Sequence, residues 1–135
     1  MLSRIAIGLG FTSSARAQDI QALVRAMLDA APPHAQAKIF TLARKAQSAA
    51  LCEAVASLGL EVEALDDAEF AARQSEFLAR GAKASEKVRE KTGLASVAEA
   101  AALMGGGPRA TLLAPRRAAR NVTCALAAPA DELQA

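Results

Sequence analysis

A chain of 135 residues has the size of one domain, and about two-thirds of its unfolded surface can be buried in a single core. Four Phe with no Trp or Tyr make that core aliphatic and alanine-rich, and a net charge of +2 is too mild, and too poor in stacking aromatics, for a nucleic-acid surface. Two cysteines 72 positions apart and a single histidine leave a metal site almost nothing to build on, and no apolar run approaches the roughly 20 residues that span a bilayer.

The first element is the continuous apolar run Ile5-Ala6-Ile7-Gly8-Leu9, stopped by Gly10, which is the pattern of a central strand covered on both faces. Met-Leu-Ser-Arg, the apolar stretch Ile5 to Phe11 and Ala15-Arg16-Ala17 together imitate a short signal peptide, but that stretch is only seven residues and contains two glycines, so it is read as a strand and the protein as cytoplasmic with reduced thiols. Gly8 and Gly10 are expected to form a turn at the end of this strand. Thr12, Ser13 and Ser14 offer N-cap oxygens to a helix striped by Ile20, Leu23, Val24, Met27 and Leu28, which Pro32 and Pro33 close.

Lys38 to Ala43 predicts a second strand, and Leu51, Val55 and Leu58 stripe a second helix that stops at Gly59. Leu60 to Leu65 alternates as a third strand. Asp66 and Glu69 make a capping-box pattern that opens a third helix with Phe70, Phe77 and Leu78. Strands alternating with helices predict a parallel sheet. Beyond Gly81, Ser85 to Lys91 reads as a short charged helix or an ordered loop. Ser96 and Glu99 form a second capping box, opening the Ala-rich helix Val97 to Met104 that Gly105-Gly106-Gly107-Pro108 is expected to end. Ala110 to Ala114 and Asn121 to Ala127 predict two strands joined by Pro115 to Arg120, too short a joint for anything but an antiparallel hairpin.

The fold class that follows is α/β: three layers, α/β/α, with a mixed, mainly parallel sheet of about five strands and a C-terminal antiparallel hairpin. Residues 1–128 are read as a single domain and 129–135 as a flexible tail.

No motif carries catalysis on its own. Gly8-Leu9-Gly10 opens like a dinucleotide fingerprint, but Ser13 stands where the third glycine belongs, and Ala43-Arg44 where an acid should follow the second strand. What survives is a ligand site at the carboxyl end of the first strand, with helix amides behind it. Ser96 and Glu99 are explained by a helix start, and His34 follows two prolines and lacks triad partners. Arg116, Arg117 and Arg120 are three guanidiniums within five residues, suited to bidentate contact with carboxylates or phosphates or to a solvated hairpin loop.

Ile7-Gly8-Leu9-Gly10 before a Ser/Thr-rich helix start, Ser96-Val97-Ala98-Glu99-Ala100-Ala101-Ala102-Leu103, and Leu113-Ala114-Pro115-Arg116 followed by Asn121 to Ala127 together resemble one family. It is the cobalamin biosynthesis family of CobE and the C-terminal domain of CbiG, the cobalt-precorrin-5A hydrolase, and the likeness runs in order along nearly the whole chain. The resemblance implies work on the corrin ring, with a polycarboxylate precorrin or corrinoid as the bound molecule. Composition and charge leave no metal, cofactor, nucleic acid or membrane expected, and the resemblance makes other enzymes of the pathway candidate partners. The positions it brings to the ligand are Gly8, Gly10, Phe11, Thr12, Ser13, Ser96, Glu99, Arg116 and Asn121. Two roles are compatible with it: an accessory or carrier protein that binds the intermediate, or a hydrolase that opens a lactone or removes a two-carbon unit. The hydrolase carries a further N-terminal domain beyond the matching segment, so its activity does not transfer with the match. Family members often have a Cys and basic residues directly after the glycines, where this chain has Phe11-Thr12-Ser13.

Overall fold

The computed structural model describes residues 4–29, 36–79, 97–107, 110–119 and 121–128. Among the described residues five strands form one sheet in the order β3-β2-β1-β5-β4, with β1 Arg4–Phe11, β2 Gln36–Leu42, β3 Glu61–Leu65, β4 Thr111–Ala119 and β5 Val122–Ala128. β1, β2 and β3 are parallel, while β5 runs antiparallel to both β1 and β4. The mixed α/β sheet with an antiparallel C-terminal hairpin expected from the sequence is therefore present.

Alternation along the two central strands decides what covers each face. Ile5, Ile7 and Leu9 of β1, with Val122, Cys124 and Leu126 of β5, form one core with α1 (Ala17–Asp29) and α2 (Ala49–Leu58). The opposite face carries small residues, Ala6 and Gly8 of β1 and Ala125 and Ala127 of β5. It is covered by α3 (Asp67–Ala72), α4 (Gln74–Ala79) and the alanine-rich α5 (Val97–Gly106). Small residues on both partners let helix and sheet approach closely, which is how an interior poor in aromatics reaches full packing density.

This packing corrects the reading of the glycines as a turn. Gly8 and Gly10 lie inside β1, paired with Phe40 and Ala125 and with Thr123 respectively. A Cβ at Gly8 would meet the Ala98 carbonyl oxygen and the Ala102 amide nitrogen of α5. The glycine is there because a helix backbone occupies the side-chain volume.

Other boundaries shift for local reasons. Thr12, Ser13 and Ser14 do not cap α1, which starts at Ala17; Arg16 holds the cap position, and its N–H donates to Asp19 Oδ2 at 3.2 Å. α2 stops where expected, with Gly59 closing the helix at φ 70°, and at its start Ser48 Oγ accepts from the Leu51 N–H at 3.4 Å. The third helix is two short ones broken at Arg73, which bonds to Glu69 and Glu76 while Phe70 and Phe77 pack with ring centroids 5.6 Å apart. α5 runs through Gly105 and Gly106 and is turned only at Gly107, φ 99°; glycine stands at the first two positions because a Cβ at Gly105 would strike the Phe40 ring and one at Gly106 would come within 2.6 Å of Ala110 Cβ. Pro115, Arg116 and Arg117 lie in β4 rather than in a hairpin loop. β4 is an edge strand with register shifts between Leu112 and Ala114 and between Ala114 and Arg117, the setting in which a strand tolerates proline. Ser85 to Lys91, His34, Ser96, Arg120 and residues 129–135 lie outside the described residues.

Candidate functional site

The carboxyl ends of β1, β2 and β3 share one edge of the sheet, where β5 begins and β4 ends. β1 delivers Gly10 and Phe11 there, opposite Thr123 and Val122. The chain then turns through Thr12, whose carbonyl accepts from the Ala15 N–H at 3.1 Å and whose Oγ1 accepts from the Ser14 N–H at 3.3 Å. Thr12 also donates its own N–H to the Asn121 carbonyl at 3.0 Å, fastening the β1 exit to the β4–β5 turn. Asn121 holds φ 70°, a left-handed conformation that asparagine tolerates better than most residues with a Cβ.

α5 begins over the same edge. A Cβ on Gly10 would stand 3.3 Å from Val97 Cβ and Cγ1, and Glu99, in the first turn of α5, is 1% exposed. The fold thus brings together Gly10, Phe11, Thr12, Asn121 and the start of α5, with Ser13 exposed in the adjoining turn. It separates two other candidates from that group. Gly8 is buried beneath α5, and Arg116 stands half-buried on edge strand β4, beyond β5 from the β1 exit.

The electrostatics of this edge follow from which charges are already engaged. Asp66 accepts from the Ala68 N–H at 3.0 Å, Asp67 pairs with Arg44 at 3.4 Å, and Asp19 receives the Arg16 N–H. Among the described residues no carboxylate pairs with the side chain of Arg16 or Lys45. Lys45 Nζ lies 5.5 Å from the centroid of the Phe11 ring, a cation–π distance. Lys45 and Arg44 were missed in the sequence, although their place directly after an apolar strand, at the carboxyl end of a parallel sheet, is the signal that marks such positions. Thr41 was missed as well: it is fully buried and its Oγ1 donates to the Leu9 carbonyl at 2.9 Å, joining the last turns of β1 and β2.

The remaining chemistry lies elsewhere. Cys124 is buried beneath α1 and burial pushes its thiol up to about 12, so it is a core residue and no nucleophile, while Cys52 is exposed on α2. No group of three or more potential metal ligands occurs among the described residues. No helix among them is long and apolar enough to cross a membrane. A cavity of about 740 Å³ opens at the opposite, amino edge of the sheet between Gln36, Lys38, Phe40, Leu60 and Gly105. Among the described residues its one lysine, Lys38, is engaged by Glu63 at 3.0 Å, so the cavity offers an anion less than the carboxyl edge does.

The model of the family described as Cobalamin synthesis G C-terminus matches residues 5–127. Among solved structures, the chain is similar to cobalamin biosynthesis protein chiG from Agrobacterium tumefaciens, at 31% identity and a TM-score of 0.71, covering 94% of this chain and 99% of that one. It is also similar to CobE, a protein from the cobalamin (vitamin B12) biosynthetic pathway, at 26% identity and a TM-score of 0.73, covering 94% and 91%. A cobalamin biosynthesis protein G homologue from Sulfolobus solfataricus shares the fold at 17% identity and a TM-score of 0.55, over 93% of this chain and 36% of that one. Among curated proteins there is no significant match.

Proposed function

The chain belongs to the Cobalamin synthesis G C-terminus family of cobalamin biosynthesis, and from that premise we propose that it binds a polycarboxylate precorrin or corrinoid as an accessory or carrier protein, at the carboxyl edge of its sheet. The observation that carries this reading is the pair of cations at that edge: the side chains of Arg16 and Lys45 have no carboxylate partner among the described residues, while Arg44 is paired with Asp67. A flat macrocycle rimmed with acetates and propionates suits a surface with scattered cations and backbone amides around an aromatic side chain, here Phe11. Phe11, Thr12, Ser13 and Asn121 would line it, and Arg116 on β4 would hold a carboxylate at its far side. Gly8, filled in by α5, has no part in the contact.

No residue is assigned a catalytic role. Incubation of the purified protein with hydrogenobyrinic acid or precorrin-5, followed by gel filtration with the visible spectrum and the tetrapyrrole mass recorded together, tests the proposal. Co-elution with unchanged mass is the expected result. Turnover to a new mass makes the protein an enzyme, and neither binding nor turnover removes the tetrapyrrole. Arg116→Ala is expected to weaken retention by about 1.5 to 3 kcal/mol, the range for a charge-assisted hydrogen bond; unchanged retention takes Arg116 out of the site.

A further inference from the structure

We propose that Lys45 is the residue that discriminates an ionised carboxylate of the bound macrocycle, and that Phe11 is the positioning residue that holds its ammonium in place. The inference rests on the binding function proposed above and assigns to it a residue on a different loop from the sequence-derived candidates.

The loop after β2 is fixed by its own backbone. Ala43 N–H donates to the Leu65 carbonyl at 2.8 Å, Lys45 N–H to the Leu42 carbonyl at 2.8 Å, and Ser48 N–H to the Lys45 carbonyl at 3.1 Å. These bonds fasten the Lys45 loop to the ends of β2 and β3 and to the start of α2. The two neighbouring cations of the loop then have different fates. Arg44 is neutralised by Asp67, whose Oδ2 lies 3.4 Å from its Nε, whereas Lys45 meets the Phe11 ring and no carboxylate among the described residues. An aromatic face attracts an ammonium through its quadrupole without cancelling its charge. The ring therefore limits where the ammonium sits and leaves its three donors available to an incoming anion. Packing against Phe11 could be served by any long aliphatic chain, so the charge is the feature that a ligand would use.

The test is fluorescence titration with uroporphyrin, an octacarboxylate, at several salt concentrations, with its octamethyl ester as the uncharged control. Lys45→Met keeps the aliphatic stem and is expected to weaken uroporphyrin binding about tenfold or more, and to reduce its dependence on salt. Lys45→Arg is expected to restore both, and Lys45→Gln to repeat the loss. Phe11→Leu is expected to weaken binding in the native background and to have much less effect when combined with Lys45→Met, the coupling that a positioning role requires. Equal affinity and equal salt dependence in native protein and Lys45→Met overturn the role of Lys45 while leaving the tetrapyrrole reading in place. Phe11→Leu effects that add fully to those of Lys45→Met overturn the positioning role alone. A native protein that binds neither uroporphyrin nor hydrogenobyrinic acid overturns both this inference and the reading it rests on.

Discussion

At the scale of single residues, the side chain that is missing at position 8 does more than most that are present. Gly8→Ala would place a methyl group against the Ala98 carbonyl and the Ala102 amide, which are helix backbone and cannot rotate away. We expect a loss of about 3 kcal/mol or more, at the upper end for overpacking because the whole of α5 must shift, read as a lower urea midpoint at unchanged slope. Cys124 supplies a second test at this scale. Its thiol is raised by burial from the ordinary range near 9 to about 12, so between those values the unfolded chain has lost a proton that the folded chain still holds. Its contribution is therefore fully present below about pH 9 and is lost as the pH rises toward 12, with a slope of up to about 1.4 kcal/mol per pH unit. Replacing Cys124 with Ala should flatten that alkaline limb of the stability profile while creating a small cavity. A limb that is unchanged in Cys124→Ala would assign the alkaline loss to other groups.

Elements show where local chemistry is sufficient and where the neighbour decides. α2 is governed by its ends, Ser48 at the start and the left-handed Gly59 at the stop, of which the sequence reading names only the glycine. Ser48→Ala is expected to cost about 1 kcal/mol through the unsatisfied Leu51 amide, measurable by thermal melting, and a loss of under a few tenths would show that solvent replaces the cap. α5 is the contrary case. Its alanines and its acidic first turn announce a helix, but glycines 105 and 106 read as a terminator because glycine is costly in an isolated helix. Only the presence of Phe40 and Ala110 across the interface turns them into contact residues. The same holds for β1. The alternation of Ile5, Ile7 and Leu9 with Ala6, Gly8 and Gly10 is a period-two pattern that encodes one thick and one thin face, yet a glycine pair after an apolar run is also the signature of a turn. The sequence ends this strand at Ala114 for a related reason, since Pro115 is a strand breaker everywhere except at a sheet edge, and the edge position belongs to the topology. Of the candidate site, Phe11, Thr12 and Asn121 come from the family resemblance, and the structure adds that they meet where β1 ends and β5 begins. Lys45 was not legible, because its contact with Phe11 joins two crossovers far apart in sequence.

For the whole molecule the consequence is a coupling between ligand and stability. The candidate site draws on the exit of β1, the loop after β2, the turn between β4 and β5, and the beginning of α5, so a ligand there would bind a surface that exists only when the entire sheet is assembled. None of these segments makes the site alone, and an unfolded chain would hold the same cations without their arrangement. Ligand at a hundred times its dissociation constant should then stabilise the fold by about 2.7 kcal/mol, a rise in Tm on the order of 10 °C for a domain of this size. Because the attraction is between carboxylates and cations at a solvent-facing edge, the rise should shrink as salt is added. Lys45→Met should show a smaller rise, with the Tm in the absence of ligand lowered by only a few degrees through the lost cation–π contact, since Lys45 pairs with no carboxylate among the described residues that its loss would strand. Lys38→Met, at the amino edge, should leave the rise intact. If the amino-edge substitution abolishes the rise and Lys45→Met does not, the ligand lies in the 740 Å³ cavity at the other end of the sheet.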